Sequence, residues 1–166
     1  MTNKTYNVLF LCTANSARSI MAEGLLNKLG QGRLVGFSAG SYPGGKVNPL
    51  ALAMLAQAQC SVENARSKSW EEFAKPDAPH MDIVITVCDN AAGEVCPVWP
   101  GRPATAHWSH PDPAAADGDD DKKRAAFATV FEHIGQRLQQ LVNLPLDKID
   151  QTTLQRELQL IAQSQP

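Results

Sequence analysis

The stretch Asn7-Val8-Leu9-Phe10-Leu11-Cys12-Thr13-Ala14-Asn15-Ser16-Ala17-Arg18-Ser19 changes character twice. Residues 7–11 are a short apolar run of strand formers, which predicts a strand buried on both faces. A polar loop of small residues follows. Ile20, Leu25, Leu26 and Leu29 then recur at helical spacing up to Gly30 and Gly32, which predicts a helix with glycine at its end. A tight strand-to-helix turn aims consecutive backbone N–H groups at one point, and the helix N-terminus adds positive potential there. The small side chains of Thr13, Ala14, Ser16 and Ala17 let that backbone close around an oxyanion. Arg18 adds a planar fork matched to two of its oxygens. The same setting predicts Cys12 as a thiolate. Lowering a thiol from about 8.5 to about 5 represents roughly 5 kcal/mol of preference for the charged form. Ser19 is expected to donate a hydrogen bond to the sulfur, and Asn15 to hold the loop.

Outward from this unit, residues 34–37 read as a second strand. Asn48-Pro49 opens an Ala/Leu-rich helix running to about Gln59, with Asn as N-cap and Pro at the first helical position. Ser69-x-x-Glu72 reads as a capping box for a short helix through Phe73. Strands are expected at 82–87 and 104–108, and a long helix at 122–141 behind the acids Asp117 and Asp119 to Asp121. This alternation predicts an α/β three-layer sandwich with a central four-stranded parallel sheet flanked by helices. In such sheets ligands sit at the carboxyl ends of the strands, at a topological switch point, so the loop after the first strand is where chemistry is expected. Leu154, Leu158 and Ile161 mark a terminal helix. The domain organisation is read as 1–145 for the catalytic domain and 146–166 for a C-terminal helical extension.

The 166 residues are 43% hydrophobic and 19% charged, with a formal net charge of -2. That excludes a disordered polymer and argues against a nucleic-acid partner, because the basic run Lys122-Lys123-Arg124 directly follows an acidic one. No apolar run near the start is long enough to span a bilayer or to act as a secretory signal, so a cytoplasmic location is expected, with no membrane partner. In that compartment four cysteines read as reactive or buried rather than as a disulfide framework.

The Cys12–x5–Arg18-Ser19 loop and the late Asp112-Pro113 resemble those of the low-molecular-weight tyrosine phosphatases and their relatives, the phosphatase-like arsenate reductases. The resemblance covers about residues 6–142. It implies Cys12 as nucleophile, Arg18 and the amides of residues 13–19 as oxyanion holders, and Asp112 as general acid or base. Ala114-Ala115-Ala116 stand where the tyrosine phosphatases place aromatic residues, which implies a wide, shallow mouth. Cys88, at the end of a strand, and Cys96 beyond it resemble the second and third redox cysteines of the reductases. The resemblance therefore implies arsenate reduction through a Cys12–Cys88 disulfide passed on to Cys96, with thioredoxin or glutaredoxin and glutathione as external reductant and no tightly bound cofactor. Asn15, Glu23 and Ser38 fall where related reductases hold an alkali cation. A phosphomonoesterase and a phosphocysteine carrier or anion-binding module are the alternatives.

Other features carry less. Gly40-x4-Gly45-Lys46 imitates a nucleotide loop but continues with Val47, where a hydroxyl is needed for magnesium. His80, His107, His110 and His133 have no zinc spacing, so no metal is expected. Cys60 reads as a packing thiol. Trp70, Trp99 and Trp108 read as packing residues, with Trp108 close enough to Asp112 to line the mouth.

Overall fold

In the computed structural model, which describes residues 4–88 and 101–164, four strands form one parallel sheet in the order β2-β1-β3-β4. They are β1 (Tyr6–Cys12), β2 (Leu34–Gly40), β3 (Ile83–Thr86) and β4 (Ala104–His107). The apolar run of β1 explains its central place. Val8, Phe10 and Cys12 belong to one core cluster, and Leu9 and Leu11 to the other. An uninterrupted apolar run is what a strand covered on both faces requires.

Helices α1 (Arg18–Leu29), α2 (Pro49–Gln57), α3 (Asp120–Val142) and α4 (Gln151–Gln163) contribute their buried residues to the larger cluster. The other face is covered by a 3₁₀ helix, Trp70–Phe73, with Met81 beside it. The expected three-layer α/β sandwich is therefore present. Each helix after α1 starts on a side-chain cap: Asn48 for α2, Asp119 for α3 and Asp150 for α4. The capping box at Ser69 is only half realised. Ser69 Oγ accepts from Glu71 N at 3.2 Å, while Glu72 pairs with Arg66 at 2.7 Å instead of reaching back.

Helix α4 packs on the core through Leu158 and Ile161 and closes the outer edge of the sheet. Gln155 Oε1 accepts from Thr105 N at 3.0 Å, and Gln155 Nε2 donates to Thr105 O, so one side-chain amide occupies both ladder groups of an edge-strand residue. Trp108 Nε1 donates to Leu158 O at 3.0 Å. Trp108 is thus the packing residue the sequence suggested, fully buried and pinned to α4. Among the described residues no helix is long and apolar enough to cross a membrane.

Candidate active site

Strand order puts the switch point between β1 and β3, and three segments meet at the carboxyl ends of the strands there. The first is the loop between β1 and α1. The carbonyls of Cys12, Thr13, Ala14 and Ser16 find partners outside it: Ser41 N donates to Cys12 O, Tyr42 N to Thr13 O, Gly44 N and Ser67 Oγ to Ala14 O, and Asn48 N to Ser16 O, at 2.9–3.3 Å. Helix α1 has no side-chain cap at Ala17 and no acidic residue in its first turn, so its first amides are left for an anion.

Local chemistry explains the shape. Asn15 takes the left-handed backbone angle φ 51, which asparagine tolerates, and Ala14 does not need it. Asn15 is fully buried. Its Nδ2 donates to Ser19 Oγ at 2.8 Å and its Oδ1 accepts from Lys68 N at 2.9 Å, so it does hold the loop. Ser19 Oγ accepts this bond, which leaves its own O–H able to donate. A Cβ at Gly40 would stand 2.4 Å from Thr13 O, so this glycine serves close approach of β2 to the loop rather than any nucleotide.

The second segment follows β3. Leu11 pairs with Thr86, and Val87 N donates to Leu11 O at 2.9 Å, which carries Cys88 alongside Cys12. Both side chains are buried, and among the described residues no disulfide joins them. Cys88 lies near enough to act on the Cys12 thiol, and Thr13 Oγ1 lies 3.6 Å from Cys88 Sγ. This neighbour corrects the expected thiolate. The bond with Cys88, and then burial, hold the Cys12 thiol well above its ordinary value, against the pull of Arg18 and the Thr13 amide. A buried pair shares its protons, and the opposing thiol lies beyond anything visible in the loop itself. Cys96 lies outside the described residues.

The third segment leads from β4. Arg18 Nη1 donates to His110 O at 2.9 Å, and Arg18 Nη2 stands 3.9 Å from Asp112 Oδ2. Asp112 Oδ1 caps its own short turn by accepting from Ala114 N at 3.0 Å, and its side chain is half exposed. Cys12, Arg18, Cys88 and Asp112 are therefore brought together. Cys60 is buried beside Ala58 and Lys28.

The alkali-cation expectation fails on Lys68, which sequence reasoning missed. Its ammonium lies 3.6 Å from Glu23 Oε1 and 3.4 Å from Ser38 Oγ, and Ser38 Oγ also donates to Glu23 at 3.0 Å. A positive charge already stands among these donors, so they do not fit an added monovalent cation. Burial raises the Glu23 carboxyl and lowers the Lys68 ammonium, each partly offset by the other's charge. Among the described residues no group of His, Cys, Asp and Glu gathers as a metal site.

A family model described as low molecular weight phosphotyrosine protein phosphatase matches residues 7–160. An arsenate reductase of Bacillus licheniformis is 39% identical over 140 residues, 83% of this chain and 94% of that protein. A glutaredoxin arsenate reductase of Synechocystis sp. is 30% identical over 135 residues, 81% of this chain and 95% of that protein. A solved thioredoxin-dependent arsenate reductase of Corynebacterium glutamicum is similar with a TM-score of 0.62 at 26% identity. The likeness covers 85% of this chain and 62% of that longer one.

Proposed function

Because the chain belongs to the low molecular weight phosphotyrosine protein phosphatase family, we propose that it reduces arsenate to arsenite, using Cys12 as nucleophile and Cys88 as resolving thiol. The observation that carries this reading within the family is a second buried cysteine, Cys88, set beside Cys12 at the base of an anion loop. Ester hydrolysis has no use for the second thiol. Reduction requires it.

In the proposed cycle the Cys12 thiol passes its proton to the bound arsenate as its sulfur attacks arsenic, and an arsenate hydroxyl leaves as water with a second proton supplied by Asp112. Arg18 and the amides of 13–19 hold the remaining oxygens as charge builds. Cys88 sulfur then attacks Cys12 sulfur. The sulfur–arsenic electron pair goes to arsenic, which leaves as arsenite, and two thiols have become one disulfide. Cys96 attacks Cys88, frees Cys12 and presents a Cys88–Cys96 disulfide to an external dithiol. Thioredoxin, or glutaredoxin with glutathione, fits that role, and the names of the two relatives support either. The reaction is assigned to the cytoplasm, and the division into a 1–145 domain and a 146–166 extension belongs to the same proposal.

Arsenite release, measured with each reductant for the wild type and for Cys12→Ser, Cys88→Ser and Cys96→Ser, tests the scheme. Loss in all three supports the full relay. Turnover that survives Cys88→Ser refutes it, and hydrolysis of an aryl phosphate that survives Cys88→Ser in place of arsenate turnover favours the phosphatase reading. Loss in Cys12→Ser and Cys88→Ser alone means that a small thiol completes the cycle.

A further inference from the structure

Arg137, toward the C-terminal end of α3, joins three parts of the molecule. Its Nη1 donates to Ser109 O at 3.0 Å and lies 3.2 Å from His110 Nε2. Its Nη2 donates to Ala162 O at 2.9 Å, near the end of α4. A rigid guanidinium fork bonded in three directions fixes the relative positions of what it touches. Here those are α3, α4 and the start of the segment that ends in Asp112.

That segment is also held where Trp108 N bonds Thr86 O and His110 N bonds Val87 O, and the half-exposed Asp112 caps its own turn beside Arg18. His110 also carries a second load, because its carbonyl accepts from Arg18, the oxyanion fork. A shift of His110 therefore disturbs Arg18 and Asp112 together. The His110 ring is buried, 4% exposed, so its contact with Arg137 is a packed one rather than a solvated surface bond. Arg137 lines a cavity of about 210 Å³ with Ser109, His110, Pro111, His133 and Ser164.

We propose that Arg137, braced by α4 through Ala162, is a positioning residue for the Asp112 segment, acting through Ser109 and His110 without touching the oxyanion. The inference rests on Asp112 being the proton donor of the proposed reaction. It gives the terminal helix a role in the chemistry beyond closing the sheet edge. An error of an ångström in a donor's place is enough to lose much of its contribution.

A double-mutant cycle on arsenate turnover tests it, with Arg137→Met, Asp112→Asn and the pair, each checked for folding by thermal melting. Arg137→Met is expected to lower kcat/KM on the order of tenfold in the Asp112 protein, part of what a general acid contributes, and less than about twofold once Asp112 is Asn. Equal losses in both backgrounds, or no loss in either, overturn the proposal, because a merely structural role is blind to Asp112. Arg137→Lys, which keeps the charge and one donor, carries the same cycle if the methionine variant fails to fold, with a smaller first loss expected. Amide exchange at Ser109, His110 and Asp112 reads the loop without arsenate. Faster exchange there with β1 unchanged supports the proposal, and unchanged exchange overturns it. If the wild type releases no arsenite, the functional reading has failed, and the exchange result still decides whether Arg137 holds this segment.

Discussion

Lowering the pH is expected to loosen the protein through His110, and the size of the effect follows from its surroundings. The ring is buried and faces Arg137 and His133 of α3, Arg18 of α1 and His107 of β4. Burial first, and then those neighbours, push its pKa from 6.5 down to about 3. Between these values the unfolded chain binds a proton that the folded chain refuses, so stability falls as pH falls through that window and the loss ends near 3. At about 1.36 kcal/mol per unit, the loss is about 2 kcal/mol between pH 7.5 and pH 5, and about 5 kcal/mol over the whole window. Urea unfolding of the wild type and of His110→Gln, at several pH values across that range, isolates the contribution. The glutamine carbonyl keeps an acceptor for Arg137 but takes up no proton. The variant starts out less stable because it packs less well, yet on acidification it is expected to lose about 2 kcal/mol less than the wild type by pH 5. Parallel curves would refute the reasoning, because they would mean that the folded protein accommodates the imidazolium.

Three further outcomes follow from the site. Replacing Cys88 with Ala removes the bond that does most to hold the Cys12 proton, so alkylation of Cys12 by iodoacetamide is expected to shift by about one pH unit or more toward acid; an unmoved profile would mean that the two thiols titrate independently. Lys68→Met leaves Glu23 buried without its partner, at a cost of about 3–5 kcal/mol in unfolding free energy. Potassium is expected to recover part of that loss in the variant and to leave the wild-type melting temperature unmoved, whereas a potassium-sensitive wild type would show that Lys68 does not fill the cation's place. Gly40→Ala forces a Cβ against Thr13 O and is expected to weaken phosphate inhibition by roughly tenfold, about 1.4 kcal/mol; unchanged inhibition would show that the anion loop gives way without losing its shape.

What was legible in the sequence is what is local. The anion loop depends on β1 before it, small residues within it, and Arg18 and Ser19 after it, all within a few residues of Cys12. The helix cap at Asn48 is equally short-range and the structure keeps it, while of the acids read as preceding the long helix Asp120 and Asp121 lie in its first turn and Asp119 caps it. Lys68 was invisible because its partners, Glu23 and Ser38, arrive from α1 and β2, and a lysine between two serines looks like any solvated loop residue. Arg137 was invisible for the same reason, sitting in a polar stretch of α3 that reads as a wet face until Ser109 and Ala162 come up against it.

Cys12 shows why this division matters for chemistry. Loop, helix terminus and arginine all argue for a thiolate, and in the structure Arg18 and the Thr13 amide do lower the thiol. They are outweighed by burial and, more, by a neighbour that strand register delivers, with Leu11 opposite Thr86 and Val87 bonded back to Leu11. The protonation of a nucleophile is set by everything that touches it, including the group that will later attack it. A thiol opposed by its own resolving partner is less reactive at rest, and it already lies beside the sulfur to which the proposed scheme joins it. One neighbour thus carries a cost before the oxyanion arrives and a gain after the adduct forms, which is why the alkylation profile of Cys12 without Cys88 tests the order of the sulfur chemistry as directly as turnover does.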